Sequence, residues 1–88
     1  MINKTIVVQN KLGLHARPCS LLIRATSKFS SEIIIKKDDM EINGKSIMGV
    51  MMLAAECGSE LQISINGVDE EYAWETIENL FNSKFDEE

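Results

Sequence analysis

The 88-residue sequence has little of what marks several large classes of protein: it holds one histidine, one proline, one tryptophan and two cysteines. Its longest apolar runs fall well short of the roughly 18 residues that a membrane-spanning helix needs. The N-terminal MINKTIVVQN has too short an apolar run for a signal peptide and no small-residue cleavage site. These absences argue against membrane insertion and secretion, so the cytoplasm is the expected location.

The two cysteines, Cys19 and Cys57, stand far apart in the sequence and show no metal-ligand spacing. A reducing compartment keeps such thiols free, so we predict two small, at least half-buried side chains and no disulfide. One histidine supplies too few ligands for a metal ion, and adding Cys19 to it does not change that. The sequence therefore predicts neither a metal site nor a cofactor.

Positive charge is scarce in the second half of the chain. The net charge is −5, but residues 1–48 carry eight Lys or Arg and four Asp or Glu, whereas residues 49–88 carry one and ten. A nucleic-acid-binding domain of this size is usually basic overall, so nucleic acid is not an expected partner. The basic half, which contains His15, would instead attract an acidic or phosphorylated partner.

Hydrophobic periodicity predicts seven elements in a single domain that spans residues 1–88. Runs that are β-branched or strictly alternating predict strands over residues 4–10, 32–37, 40–43 and 60–66. Helical spacing predicts a helix from Ala16, a second over residues 46–56 and a third over residues 69–84. The order βαββαβα, with one wet face on the last strand, predicts a two-layer α+β sandwich.

Local signals predict how these helices pack and where they begin and end. The first helix has the apolar stripe Pro18, Leu21, Leu22, Ala25 and Phe29, with the proline in the first turn. The third has the stripe Ala73, Ile77, Leu80 and Phe81. Ser46 is well placed as the N-cap of the second helix, and Gly58 as its end. The last three residues are expected to fray.

His15 stands just before the first helix is predicted to begin. There the backbone N–H groups point outward without partners and the helix dipole is positive, which favours binding of an anion. Arg17 adds a planar, permanently charged donor group, and Gly13 lets the chain approach closely. A neutral imidazole at that place can act as a nucleophile. These residues favour a phosphoryl acceptor over a hydrolase or a metal site, and a purely structural histidine stays open at this point.

Two motifs give the chain a family resemblance: GLHARP over residues 13–18 and, after 26 intervening residues, KSIMGVM over residues 45–51. With the length and the order of elements, they resemble the HPr family, the histidine-containing phosphocarriers of the bacterial phosphoenolpyruvate:sugar phosphotransferase system. The resemblance implies an open-faced β-sandwich, in which three helices cover one face of a four-stranded antiparallel sheet. It also implies a carrier and not an enzyme.

The same resemblance implies roles for the first motif. His15 would accept a phosphoryl group on Nδ1 from phosphorylated enzyme I and pass it to the IIA domain of a sugar-specific enzyme II. Arg17 would stabilise the phosphoryl group, while Gly13, Ala16 and Pro18 would shape the site. The protein is expected to work as a monomer.

In the second motif the resemblance gives Ser46 a further meaning. In part of the family the matching serine is phosphorylated by HPr kinase/phosphorylase. The resemblance therefore implies two further partners, this kinase and a catabolite-control regulator. A phosphate at a helix N-terminus is electrostatically favoured, so this role is compatible with an N-cap.

The resemblance also implies a docking surface. Ile47, Met48 and Met51 would form an apolar surface for enzyme I and IIA, framed by Arg24 and Lys28 on the first helix. Methionine suits a surface that serves several partners. The alternative is that the methionines pack on the sheet and the two basic residues only face solvent.

The sequence departs from the family pattern at Leu12, where a small polar residue that can hydrogen-bond near the histidine is common. This departure leaves the orientation of His15 open, though not its identity as the acceptor. Two other functions also stay open beside the sugar carrier, because the sequence does not reveal which protein takes the phosphoryl group. One is a regulatory or nitrogen-linked paralogue that is phosphorylated at His15 without serving sugar uptake. The other is a non-carrier binding module that acts on regulators, and the presence of His15 argues against it, because such a module has no use for an acceptor.

Overall fold

The computed structural model describes residues 1–87 and confirms the predicted order of elements, βαββαβα. The strands are β1 (Ile2–Val7), β2 (Glu32–Lys37), β3 (Met40–Asn43) and β4 (Glu60–Asn66). The helices are α1 (Ala16–Thr26), α2 (Ile47–Met52) and α3 (Glu70–Asn82), and a short 3₁₀ segment, here named the C-terminal turn (Lys84–Asp86), follows them. No helix in this described part of the chain is long and apolar enough to cross a bilayer.

The four strands form one antiparallel sheet in the order β1-β4-β2-β3. Side chains alternate along each strand, so Ile33 and Ile35 of β2 share a buried face with their ladder partners Ile65 and Ile63 of β4. Gln62, next to Ile63 on β4, is exposed on the opposite, open face. This confirms the predicted open-faced α+β sandwich, with a four-stranded antiparallel sheet and three helices.

One hydrophobic core lies between the sheet and the helices. The helices contribute fully buried side chains to it: Leu22 from α1, Val50 from α2, and Ala73, Ile77 and Phe81 from α3. Leu21 and Leu80 are partly buried against the same core, which confirms the stripe predicted for α3. In the stripe predicted for α1, Phe29 also packs on the core but lies beyond the end of the helix at Thr26. Each fully buried large apolar side chain contributes about 1.5–3 kcal/mol by leaving water. This packing holds the start of α1 in a fixed position over the sheet.

Strand β1 spans Ile2–Val7, and the predicted range of residues 4–10 is wrong at both ends. The strand starts earlier because Ile2 pairs with Ile65 of β4. It ends earlier because Asn10 is drawn into the interior, where its side-chain amide donates to the carbonyl of Gly13 at 2.6 Å. That hydrogen bond closes the turn that leads to α1.

Helix α2 ends at Met52, so the prediction that it continues to residue 56 and ends at Gly58 is wrong. Leu53 and Ala55 are both buried, and Ala54 between them has a φ of 50°, so the chain changes direction there. Gly58 lies in the turn that leads into β4. Burial of Leu53 and Ala55 therefore decides where α2 ends.

The C-terminal turn replaces the fraying predicted for the end of the chain. Helix α3 ends at Asn82, and the turn has left-handed φ angles of 58°, 54° and 61°. Such a backbone costs about 1–2 kcal/mol per non-glycine residue. Burial of Phe85, edge to face against Phe81 with ring centroids 4.9 Å apart, offsets that cost. Glu88, the last of the residues predicted to fray, lies outside the described residues.

Both cysteines are free, as predicted. Cys19 is fully buried on α1, its thiol donates to the carbonyl of Leu14 at 3.2 Å, and burial raises the pKa of that thiol. Cys57 is exposed, so the prediction of a half-buried side chain is wrong for it, because it lies in the turn before β4. The buried thiol of Cys19 therefore does not contribute to the surface around the histidine.

Asp69, just before α3, ties that helix to the loop between α1 and β2. Its carboxylate accepts hydrogen bonds from the N–H groups of Ser30 and Ser31 at 2.9 and 3.0 Å, and from the Ser31 hydroxyl. The Ser31 hydroxyl first, and then the Ser30 N–H, lower the pKa of Asp69 from 3.8 to about 2. Because the unfolded chain binds this proton more tightly, the carboxylate contributes stability above pH 3.8, which is lost as pH falls through about 2.

We expect Asp69→Asn to lower the free energy of unfolding at neutral pH and to have a much smaller effect near pH 2. Asparagine lacks the charged oxygens that accept these hydrogen bonds, so the two chains differ mainly where the wild-type carboxylate is ionised. Urea unfolding of both chains between neutral pH and about pH 2 measures the difference, with Asp39→Asn in the exposed β2–β3 turn as the control. A penalty that does not change with pH would contradict the prediction.

Candidate functional site

His15 is the N-cap of α1, so the connection between strand and helix itself carries the histidine. Within residues 1–87 its side chain makes no capping hydrogen bond, while its carbonyl accepts from the N–H of Cys19 at 3.0 Å. The imidazole is 38% exposed. The N–H groups of Ala16 and Arg17 precede the first intrahelical hydrogen bond, and Pro18, buried in the first turn, has no N–H to leave unpaired. The ring therefore lies at the positive end of the helix, as the sequence predicted.

The close approach predicted for Gly13 is to another part of the chain. Gly13 has a φ of +73°, and a Cβ there would lie 2.5 Å from the carbonyl oxygen of Ala55. The next N–H, that of Leu14, donates to the same carbonyl at 2.8 Å. No larger residue fits, because both the backbone angle and the space require glycine. The loop that carries His15 is thereby fixed on the segment that follows α2.

A carboxylate from the far end of the chain, that of Glu87, contacts the histidine. Its Oε2 lies 2.7 Å from Nε2 of His15, and its side chain is 17% exposed. The C-terminal turn delivers this carboxylate, because burial of Phe85 fixes the backbone two residues earlier. Sequence reasoning missed Glu87. The available signal was Phe85, an aromatic residue beyond the predicted apolar stripe of α3, whose burial holds the end of the chain in place.

Asn10 holds the other oxygen of Glu87. The side chain of Asn10 is fully buried, and its Nδ2 donates to Oε1 of Glu87 at 3.0 Å as well as to the carbonyl of Gly13. The Asn10 amide first, and then the His15 ring, keep the pKa of Glu87 below its ordinary value. The carboxylate is therefore ionised at neutral pH and accepts a hydrogen bond at each oxygen.

Arg17 reaches the same carboxylate. Its Nη1 lies 3.8 Å from Oε2 of Glu87 and donates to the carbonyl of Phe85 at 3.4 Å. The Arg17 side chain is 57% exposed, so this ion pair adds little to stability. A guanidinium has five N–H donors, which leaves several for an incoming anion. The structure thus brings the two predicted residues, His15 and Arg17, together at Glu87.

Ser46 is the N-cap of α2, as predicted. Its Oγ accepts from the N–H of Gly49 at 3.1 Å, and its own N–H donates to the carbonyl of Asn43 at 3.0 Å. The side chain is half-buried. Its hydroxyl therefore lies at the positive end of a short helix, where added negative charge is tolerated.

An exposed apolar surface lies along α2, and we define it as Ile47, Met48, Met51 and Met52. All four side chains are exposed, and Met48 is the most exposed at 73%. The sequence predicted the first three and missed Met52. Helix α2 buries Val50, which is enough to seat it on the core. The methionines of α2 therefore face outward, while Val50 of the same helix packs on the core.

Two basic side chains, Arg24 and Lys28, lie at the C-terminal end of α1. Arg24 lies in the last turn of α1 and Lys28 in the turn just after it, and both are exposed. Helix α1 packs against both α2 and α3, and Lys28 lies in a shallow depression with Tyr72 and Thr76 of α3. The exposure of the two basic side chains is consistent with either a docking role or a solvated face.

The chemistry that these residues support is anion binding beside a nitrogen nucleophile. His15 offers a ring nitrogen, Arg17 a fixed positive charge and the start of α1 unpaired N–H groups. Within residues 1–87, no three His, Cys, Asp or Glu side chains are grouped so that they could hold a metal ion.

Comparison with known proteins gives matches over the whole chain. The PTS-HPr family model, described as "PTS HPr component phosphorylation site", matches residues 2–83. The phosphocarrier protein HPr of Treponema pallidum (strain Nichols) is 50% identical over 88 residues, which covers 100% of both chains. The residues that the family model matches include both motifs and end before the C-terminal turn.

Solved structures agree with these matches. The crystal structure of HPr-C-His from Thermoanaerobacter tengcongensis superposes with a TM-score of 0.96 at 46% identity, covering 100% of this chain and 99% of that chain. A crystal structure of an HPr dimer from the same organism gives a TM-score of 0.80 at 46% identity, covering 99% and 100% of the two chains. At this identity the likeness extends from the fold to the sequence.

Proposed function

The chain belongs to the HPr family, the phosphocarriers of the phosphotransferase system, and on that premise we propose that it relays a phosphoryl group on His15. His15 accepts the group from phosphorylated enzyme I and passes it to the IIA domain of a sugar-specific enzyme II. The observation that carries the proposal is the partly exposed imidazole at the start of α1, with Arg17 beside it. As a carrier, the protein is a substrate of its partners' reactions and not an enzyme.

The residues around His15 have separate roles in this proposal. Transfer of a phosphoryl group between two proteins depends mainly on positioning and on stabilisation of charge. Arg17 binds the phosphoryl oxygens with its planar donor group, and the N–H groups at the start of α1 add aligned dipoles. Ala16 is exposed but small, so it leaves the approach to the ring open, while Pro18 fixes the first turn.

Partners dock on the apolar surface of α2, with Arg24 and Lys28 at its border. Exposed methionine and isoleucine side chains adapt to several partners in turn, which a relay between enzyme I and IIA domains requires. The basic border favours acidic partners and raises the rate of encounter. The protein does this as a monomer in the cytoplasm, without nucleic acid or membrane as a partner.

The test is phosphorylation of the intact chain by phosphoenolpyruvate and enzyme I, with a known HPr as the positive control. We expect one acid-labile phosphate per chain, located on His15 by NMR, which is discharged when a IIA domain is added. A chain that stays unlabelled while the known HPr is labelled would overturn the carrier function. A label that no sugar-specific IIA domain removes would overturn the sugar-uptake part and favour the regulatory paralogue.

We also propose that Ser46 is a regulatory phosphorylation site for HPr kinase/phosphorylase, and that a catabolite-control regulator recognises the phosphorylated form. The support is the position of Ser46 directly before Ile47, the first residue of the apolar surface. A phosphate there is tolerated by the start of α2 and adds negative charge beside the docking surface. Phosphorylation would therefore weaken docking without unfolding the protein.

Accordingly, we expect Ser46→Asp to slow phosphoryl acceptance from enzyme I roughly tenfold through repulsion of an acidic partner. The helix should persist, because aspartate is also a good N-cap. Initial rates of labelling measure the effect, and Ser46→Ala, which should accept at the wild-type rate, is the control. A wild-type rate for Ser46→Asp, or a lack of acid-stable phosphoserine after treatment with ATP and the kinase, would contradict the regulatory role.

A further inference from the structure

We propose that Glu87, held by Asn10, is a positioning residue that orients His15 so that Nδ1, and not Nε2, accepts the phosphoryl group. The inference rests on the proposed function and deepens it. Glu87 lies beyond residues 2–83, the part of the chain that the family model matches, so the match does not assign it a role. Two contacts carry the argument: Oε2 of Glu87 lies 2.7 Å from His15 Nε2, and Oε1 accepts from Asn10 at 3.0 Å.

The hydrogen-bond roles at Glu87 leave one neutral form of the ring. The ionised carboxylate of Glu87 can only accept, so the hydrogen in the 2.7 Å contact belongs to Nε2 of His15. In a neutral imidazole the second nitrogen then carries the lone pair. Nδ1 is therefore the nucleophile, and Nε2 is occupied by its hydrogen and by Glu87.

Transfer of the phosphoryl group adds positive charge to the ring, and Glu87 is placed to stabilise it. The lone pair of Nδ1 forms the new N–P bond while the bond between phosphorus and the donor's leaving atom breaks, its electron pair leaving with that atom. Nε2 keeps its hydrogen, so the ring becomes a cation that bears the phosphoryl group. A carboxylate at 2.7 Å stabilises this cation more than the neutral ring, as the aspartate of a serine-protease triad stabilises its imidazolium.

The backbone that delivers Glu87 is strained, which is a feature of functional sites. All three residues of the C-terminal turn, Lys84–Asp86, are left-handed, and non-glycine residues persist in that region only where surrounding contacts over-determine them. Here those contacts are the burial of Phe85 and the hydrogen bond from Arg17 to the Phe85 carbonyl. The Glu87 carboxylate is also more shielded than the ring it contacts. A buried amide, a strained turn and a cation thus converge on one carboxylate.

The experiment compares the wild type with Glu87→Gln, Glu87→Ala and the control Asp86→Asn, which removes the charge of an exposed neighbour. Nitrogen-15 NMR of the neutral ring identifies the nitrogen that carries the hydrogen. Phosphoramidate, a small phosphoryl donor that needs no partner protein, then identifies the nitrogen that accepts. In the wild type and the control we expect hydrogen on Nε2 and phosphate on Nδ1.

Both Glu87 variants should show a mixture of ring tautomers and some phosphate on Nε2. Their acceptance from enzyme I should be about tenfold slower, which corresponds to loss of one charge-assisted hydrogen bond. Thermal unfolding checks the fold, and a general loss of stability would not change which nitrogen carries the hydrogen.

The outcomes separate this proposal from the proposed function. If the hydrogen and the phosphate stay on the same nitrogens in both Glu87 variants as in the wild type, the positioning role is overturned, whatever enzyme I does. If phosphoramidate labels the wild type but enzyme I does not, the relay fails, and the NMR result still decides the role of Glu87.

Discussion

Replacing His15 with alanine is expected to remove all acid-labile phosphate from the chain and to leave its fold intact. His15 is the only histidine in the sequence, so no second imidazole can take its place. The ring is partly exposed, and its hydrogen bond is to Glu87, which keeps its contact with Asn10 when the ring is removed. Substitution of a side chain outside the core changes stability little, so loss of label will report loss of the acceptor.

Labelling with enzyme I and phosphoenolpyruvate measures the effect, and circular dichroism with urea unfolding checks the fold. His15→Gln is the matched variant, because its amide can still donate toward Glu87 while it offers no nucleophilic ring nitrogen. Both variants should be unlabelled, and both should unfold near the wild-type urea concentration. Acid-labile phosphate that persists on either variant would place the acceptor on another kind of side chain.

The identity of the elements could be predicted because each carries its own periodicity. The alternation of Leu61, Ile63 and Ile65 sets the buried face of β4, and the spacing of Ala73 and Ile77 sets that of α3. The ends of elements depend on distant contacts that periodicity does not encode. The extent of α2, for example, depends on residues after it being buried and on the amine of Lys37, which donates to the carbonyl of Leu53 at 3.2 Å.

Part of the candidate site could also be predicted, because its residues carry local signals. His15 and Arg17 follow from signals within one turn of a helix start, and Ser46 follows from N-cap chemistry. Glu87 could not be predicted, since its contact with His15 joins residues 72 positions apart and needs a left-handed turn without glycine. A terminal acidic run is ordinarily expected to fray, and only the burial of Phe85 shows that this one does not.

Glu87 also changes what Leu12 means for the site. The family pattern has a small polar residue at position 12 that can hydrogen-bond near the histidine. Leu12 is 72% exposed, and its side chain cannot hydrogen-bond. The ring of His15 is instead held by a carboxylate from the opposite end of the chain. In this chain Glu87, and not residue 12, therefore hydrogen-bonds to the His15 ring.

The contact between Glu87 and His15 joins the acidic half of the chain to the basic half. Glu87 belongs to the acidic half, yet it lies among His15, Arg17 and the positive start of α1. Its charge supports the ring at Nε2 but opposes binding of a phosphoryl anion nearby. Arg17, 3.8 Å from the same carboxylate, offsets that opposition. The rate of transfer should therefore depend strongly on Arg17.

Replacing Arg17 with alanine is expected to slow phosphoryl acceptance about 10²-fold without abolishing it, the usual effect of removing one preorganised donor from a site of developing charge. The label should still form on His15, because the nucleophile and the start of α1 remain. Stability should change little, since the Arg17 side chain is more than half exposed. Single-turnover labelling by enzyme I at saturating donor separates this chemical effect from weaker docking.

Arg17→Lys distinguishes charge from geometry. Lysine keeps the positive charge but lacks the planar group that contacts two phosphoryl oxygens at once, so its rate should fall between those of the wild type and the alanine variant. Arg24→Ala, at an exposed cation in the last turn of α1, is the matched control and should affect docking but not the saturated rate. Equal saturated rates for Arg17→Ala and the wild type would show that helix dipoles and the partner protein alone stabilise the transferred group. In that case Arg17 would serve docking. Its contact with Glu87, at 3.8 Å, would then be a surface ion pair without a role in transfer.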